Sequence, residues 1–120
     1  MNYPANVVSI HPYFKVNPGQ LGAFKASMPA FIEKTRTETD NLFYEFTING
    51  DEVFCREAYV GAAGLLTHLA NVSEQLAETF KIATLTRLEV HGPAAELDQL
   101  RGPLAQMNPA WFVLEAGLRR

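Results

Sequence analysis

The chain has 120 residues, 48% of them apolar, with eight Phe and four Tyr, enough for one packed domain that buries about two-thirds of its unfolded surface, so disorder is excluded. A net charge of −3 with scattered Lys and Arg excludes a nucleic-acid footprint, and the single cysteine, Cys55, excludes an internal disulfide or a Cys-based zinc cluster. No segment approaches membrane-spanning length and Met1 to Asn6 lacks a basic-then-apolar leader pattern, so the expectation is a soluble cytoplasmic protein with neither nucleic-acid nor membrane partner.

Val7 to Val16 is rich in Val, Ile, Tyr and Phe and ends at Asn17-Pro18-Gly19, the pattern of a strand closed by a turn. Pro12 lacks an N–H, so it must occupy an edge, a bulge or an unpaired position. Leu21, Phe24, Met28, Phe31, Ile32 and Thr35 recur at helical spacing from about Gly19 to Thr37, with a bend expected at Pro29. Two alternating runs follow, joined by Asn49-Gly50-Asp51, and a turn at Asn49-Gly50 or at Gly50-Asp51 preserves the same division of faces. One face holds Leu42, Tyr44, Phe46, Ile48, Val53, Cys55, Glu57 and Tyr59. The other holds Phe43, Glu45, Thr47, Phe54, Arg56 and Ala58, with Glu45 and Arg56 direct neighbours if the turn is Gly50-Asp51.

A second helix spans roughly Ala62 to Val72, and Ser73 is placed to cap a further short helix through Ala77 or Phe80. Thr84 to His91 reads as a strand. The order predicts an α+β, ferredoxin-like split βαβ domain: a four-stranded antiparallel sheet with helices on one face. Pro93 to Met107 predicts an added helix and Trp111 to Gly117 an added strand, giving one domain with its core at about 7–91 and an extension at about 93–117. A single helical layer leaves the Phe43 and Phe54 face uncovered, so a face-to-face homodimer is predicted. Trp111 to Leu114 either crosses to the partner's sheet or folds back on its own subunit.

The chemistry-bearing residues concentrate between Asn41 and Val72. Leu65, His68, Leu69 and Val72 share a helical stripe, so His68 should face the sheet. Glu57, on the helix-covered strand face with Tyr44 and Tyr59, is its natural carboxylate partner. Two uses fit these residues. His68 and Glu57 form a proton-transfer pair with Tyr44, Tyr59, Phe24, Phe31 and Leu65 as walls, or they form a buried structural pair in an aromatic core. His11 belongs to the opposite strand face and should meet a partner or solvent. Arg87 is read as a structural ion pair or an anion site, and Cys55 as a small buried residue. His11, His68 and His91 are too dispersed to define a metal site.

Val-Asn-Pro-Gly at 16–19 opening a helix, Leu42-Phe43-Tyr44, Glu57-Ala58-Tyr59-Val60 and Gly64-Leu65-Leu66-Thr67-His68-Leu69 together resemble the antibiotic biosynthesis monooxygenase family. The resemblance covers roughly Val7 to His91. It implies a dimeric α/β barrel of ferredoxin-like subunits and a cofactor-independent monooxygenase acting on a phenolic, quinol or polyketide-like aromatic, with His68 as proton acceptor and Glu57 as its orienter. A non-catalytic dimeric ligand-binding module of the same fold is the alternative, and an isomerase using the same pocket is a third reading. Haem-degrading relatives place an Asn, a Trp and a His where this chain aligns Pro12, His68 and Glu78, so haem degradation is disfavoured.

Overall fold

Residues 4–120 are described by a computed structural model of the chain. The expected absence of a leader in Met1 to Asn6 falls partly on Met1, Asn2 and Tyr3, which lie outside the described residues. The elements are β1 (Val7–Val16), α1 (Leu21–Arg36), β2 (Asn41–Asn49), β3 (Glu52–Val60), α2 (Gly61–Asn71), α3 (Ser73–Thr79), β4 (Ala83–Gly92), α4 (Ala94–Leu100), a 3₁₀ turn (Ala105–Met107) and β5 (Ala110–Val113). The strands form one sheet in the order β2-β3-β1-β4-β5, antiparallel except for the β4–β5 pair. This is the expected ferredoxin-like fold with a C-terminal addition.

Pro12 sits in a central strand, between β3 and β4. The β1–β3 ladder runs from Ile10 opposite Glu57 directly to Tyr13 opposite Phe54, so Pro12 falls in a gap where no ladder bond is required. On its other side the register with β4 shifts after Tyr13, and the Thr86 hydroxyl donates to the Tyr13 carbonyl at 3.1 Å. A proline in mid-sheet thus coincides with an opened ladder beside Glu57.

The hairpin turn is Gly50-Asp51, because Asn49 and Glu52 form the last pair. Gly50 has φ +61°, a conformation that glycine adopts without a Cβ clash. Glu45 then pairs with Arg56, their charged groups 3.5 Å apart. Leu42 is the extra residue of a bulge between Asn41 and Phe43 and is exposed, unlike its expected face-mates Val53, Cys55, Glu57 and Tyr59. Helix α1 continues through Pro29 to Arg36.

Three expectations need correction. Ser73 caps nothing, because Val72 both ends α2 and starts α3: its N–H donates to the His68 carbonyl and its carbonyl accepts from Leu76. The continuous helix of 93–107 is instead α4 ending at Leu100, a turn, and the 3₁₀ segment. Gly102-Pro103 accounts for the break, since the residue before a proline is disfavoured in helical conformation. The added strand is likewise shorter than expected, Ala110–Val113, and it pairs with β4 of its own chain.

Helices α2 and α4 cover one half of the sheet over Val8, Ile10, Tyr59, Leu65, Val90, Leu97 and Leu100. Helices α1 and α3 cover the other over Phe14, Val16, Phe24 and Val53. The Glu96 carboxylate accepts from the Ala62 N–H at 2.8 Å, so α4 satisfies a donor at the start of α2 that no neighbouring residue caps. Among the described residues, no helix is long and apolar enough to cross a membrane.

Candidate functional site

Glu57 lies on the covered face of β3, opposite Ile10 of β1 and Tyr44 of β2. Two residues on, Tyr59 shares that face, as strand alternation requires, and its hydroxyl donates to Glu57 Oε1 at 2.7 Å. Helix α2 crosses above and lowers His68 between the two tyrosines, with ring centroids 5.1 Å from Tyr44 and 4.9 Å from Tyr59. The Glu57 and His68 side chains are 6% and 3% exposed. An acid and an imidazole therefore meet where water scarcely reaches.

The contact between them is long, with His68 Nε2 3.5 Å from Glu57 Oε1, outside the usual range for a strong hydrogen bond. The short contact is on the other nitrogen, where His68 Nδ1 lies 2.9 Å and 3.2 Å from the two oxygens of Glu38. Glu38 stands in the polar stretch after α1, and its side chain is only 4% exposed. In the fold the carboxylate that orients the imidazole is Glu38, and Glu57 faces the free side of the ring.

Burial governs the protonation of both groups. Desolvation pushes the Glu57 carboxyl up to about 7, helped by the negative charge of Glu38 and opposed by hydrogen bonds from Tyr59 and Cys55. Desolvation also holds His68 below its ordinary value, outweighing the opposite pull of Glu38. Near neutrality the pair is thus an acid that keeps much of its proton and an imidazole that lacks its second one. The same burial pushes the Tyr44, Tyr59 and Cys55 groups well up, so they remain neutral. No Lys or Arg side chain lines the cavity among the described residues.

The cavity beside the pair has a volume of about 50 Å³, and Tyr44, Phe24 and Phe31 help to wall it. Tyr59 and Leu65 stand outside that wall: both are fully buried in the core beneath α2 and α4, with Tyr59 meeting the pair through its hydroxyl on Glu57 and its ring beside His68. Pro12, Cys55 and Met107 contribute to the wall as well. The space is smaller than the roughly 150 Å³ that holds a benzene ring in an engineered apolar cavity. A whole aromatic ring would require movement of the wall. Exposed Phe80, with half-buried Leu76 and Leu85, marks its outer rim.

His11 and Arg87 are elsewhere. On the open sheet face His11 lies 4.4 Å from His91, which stacks on Phe112, and Arg87 pairs with Glu89. Among the described residues, no group of three or more His, Cys, Asp and Glu side chains is gathered as a metal-ligand set.

No protein-family model and no curated protein matches the chain. Among solved structures, MupZ from Pseudomonas fluorescens is 48% identical over 95% of this chain and 94% of its own, with a TM-score of 0.91. More distant similarity extends to proteins provisionally named antibiotic biosynthesis monooxygenases. One from Chloroflexus aurantiacus is 16% identical, over 73% of this chain and 93% of its own, with a TM-score of 0.61. Another, from Bacteroides thetaiotaomicron, is 20% identical, over 71% and 85%, with a TM-score of 0.61. At these identities the likeness is one of fold, and it agrees with the ferredoxin-like expectation.

Proposed function

The chain belongs to the same family as MupZ of Pseudomonas fluorescens, and on that premise we propose that it is an acid–base enzyme acting on small, largely apolar molecules. The observation that carries this is the pairing of a neutral-leaning carboxyl with a neutral imidazole across 3.5 Å inside an apolar cavity. His68 Nε2 takes a proton from the substrate and Glu57, close to its own pKa near neutrality, delivers one. Tyr44 and the phenylalanines hold the apolar remainder.

Cofactor-independent monooxygenation of a phenolic, quinol or polyketide-like aromatic is the finer reading, favoured by the names of the more distant fold neighbours. In that reaction His68 removes the hydroxyl proton and the resulting substrate anion supplies the electron to oxygen. Assaying hydroquinones, anthrones and enolisable ketones with and without oxygen tests both readings. Turnover that stops without oxygen supports the monooxygenase, and turnover that persists supports proton transfer alone. A wild-type protein inert to every compound in both atmospheres counts against an enzyme.

The open sheet face, with Phe43 44% and Phe112 42% exposed, fits against a second copy of itself. We expect the mass in solution to be that of a dimer and Phe43→Glu to yield monomer. A monomeric wild type removes this part of the proposal.

A further inference from the structure

Glu38 is delivered to His68 by the connection from α1 to β2, residues 37–40, and three features dock that connection on α2 and the end of β3. Asn71, the last residue of α2, uses its side-chain amide nitrogen to donate to Glu38 Oε2 at 2.9 Å and to the Lys34 carbonyl at 2.7 Å. Both amide hydrogens are engaged, one on the catalytic-side carboxylate and one on the end of α1. Gly64, one turn before His68, lets the backbone approach: a Cβ there would lie 3.0 Å from Asp40 Cβ, 3.3 Å from Tyr59 Cβ and 3.4 Å from the Asp40 carbonyl oxygen. The Val60 N–H donates to that same carbonyl at 2.8 Å. On a helix, positions 64, 68 and 71 share one face, so the close approach, the imidazole and the clamp all look at the same short connection.

A connection of this kind is a mobile class of structure unless it is fixed. The Glu38 side chain is nevertheless only 4% exposed. Two donors account for that position, His68 Nδ1 and the Asn71 amide. If the Asn71 donor is removed, a buried carboxylate is left with one partner, a deficit that favours its swinging out to water. His68 Nδ1–H would then lose its acceptor and with it the reason for the proton to reside on Nδ1.

We infer that Asn71 and Gly64 are positioning residues that hold Glu38 on His68 Nδ1, so that the neutral imidazole keeps its proton there and turns a lone pair on Nε2 toward Glu57. The inference rests on the reading of His68 as the proton acceptor, because only the tautomer with a bare Nε2 can act as a base at the cavity. Neither residue touches the cavity itself. They reach the imidazole from the Glu38 side, at Nδ1, whereas Glu57 faces Nε2.

The experiment is long-range ¹H–¹⁵N correlation on the full chain labelled in histidine, at a pH where His68 is neutral. Wild type is expected to show a single Nδ1-protonated tautomer for His68. Asn71→Leu, which keeps the branching of the side chain and removes both N–H donors, is expected to give mixed or Nε2-protonated signals and to lose the hydrogen-bonded Nδ1 proton resonance. Gly64→Ala is expected to do the same by lifting residues 37–40 from α2, and it reads the same contact if Asn71→Leu does not fold. A wild-type Nε2-protonated ring, or an unchanged Nδ1 tautomer in the folded variants, overturns the inference. If the tautomer shifts as expected while His68→Gln retains full turnover, the positioning role stands and the proton-acceptor reading falls.

Discussion

Glu57→Gln is expected to be more stable than the wild type above about pH 7 and to lose its turnover. The folded carboxyl is pushed from 4.5 up to about 7 by burial, so between those values the folded state binds a proton that the unfolded state has released. The Glu57 contribution to stability is therefore fully present below 4.5, is lost as pH rises through the window, and is level again above about 7. A displacement of that size corresponds to about 3 kcal/mol, or a melting difference of roughly 10 °C in a domain of this length. Gln keeps the shape and an oxygen to accept from Tyr59, but it has no proton to lose. Melting curves of both proteins from acid to alkaline pH should coincide below 4.5, separate as pH rises to about 7 and stay apart above it, with the variant higher. A purely structural His68–Glu57 pair predicts the reverse, a variant that melts lower throughout, and that result would remove Glu57 as a functional acid. Gain of stability on loss of activity is the expected mark of a strained functional group.

His68 bends the profile the other way. Its pKa is held below the ordinary 6.5, so as pH falls below 6.5 the unfolded chain takes up a proton that the fold resists, and stability declines. The wild type is squeezed from both sides by two groups of opposite sign.

What the sequence disclosed about this site follows from periodicity. The spacing of Leu65, His68, Leu69 and Val72 put the imidazole against the sheet, and alternation put Glu57 and Tyr59 on the covered face of β3, as the structure places them. Periodicity assigns faces and not distances. It suggested Glu57 as the orienting partner, whereas a carboxylate 30 positions away, Glu38, makes the 2.9 Å contact. Nothing in Thr37-Glu38-Thr39-Asp40 distinguishes that residue from exposed Glu33, because its burial comes from the docking of residues 37–40 on α2 and from no local pattern. Leu65 illustrates the converse: its stripe position led correctly to the interior but not to the cavity, since it packs with Leu97 and Leu100 of α4 instead. The role of α4 was also hidden. Pro93 to Met107 read as an appendage, yet Leu97, Leu100 and Leu104 are fully buried and Glu96 satisfies the start of α2. Pro12 was legible as an edge, bulge or unpaired residue but not as part of the cavity wall.

The pH dependence of turnover provides the second large effect. The productive state needs Glu57 protonated and His68 neutral at once, and these conditions overlap only between the depressed pKa of His68 and about 7. Rate on a substrate found in the panel should therefore be bell-shaped, falling above about 7 as Glu57 ionises and falling in acid as His68 takes up its proton. His68→Ala would confuse the test, because it strips Glu38 of a donor in a buried setting and destabilises the fold by some 1–3 kcal/mol or more. His68→Gln retains an amide donor for Glu38 and removes the base. Its rate at the optimum should fall by about 10²–10⁴-fold with the melting point little changed. Glu57→Gln should lose the alkaline limb together with most of the rate, while the acid limb set by His68 remains. A wild-type rate that stays level through and above pH 7 would mean that no group with the Glu57 titration takes part in the rate-limiting step. Full turnover by folded His68→Gln would return both residues to the core as a structural pair. The two limbs belong to different residues on different elements, one on β3 and one on α2, so each variant should erase its own limb and leave the other in place.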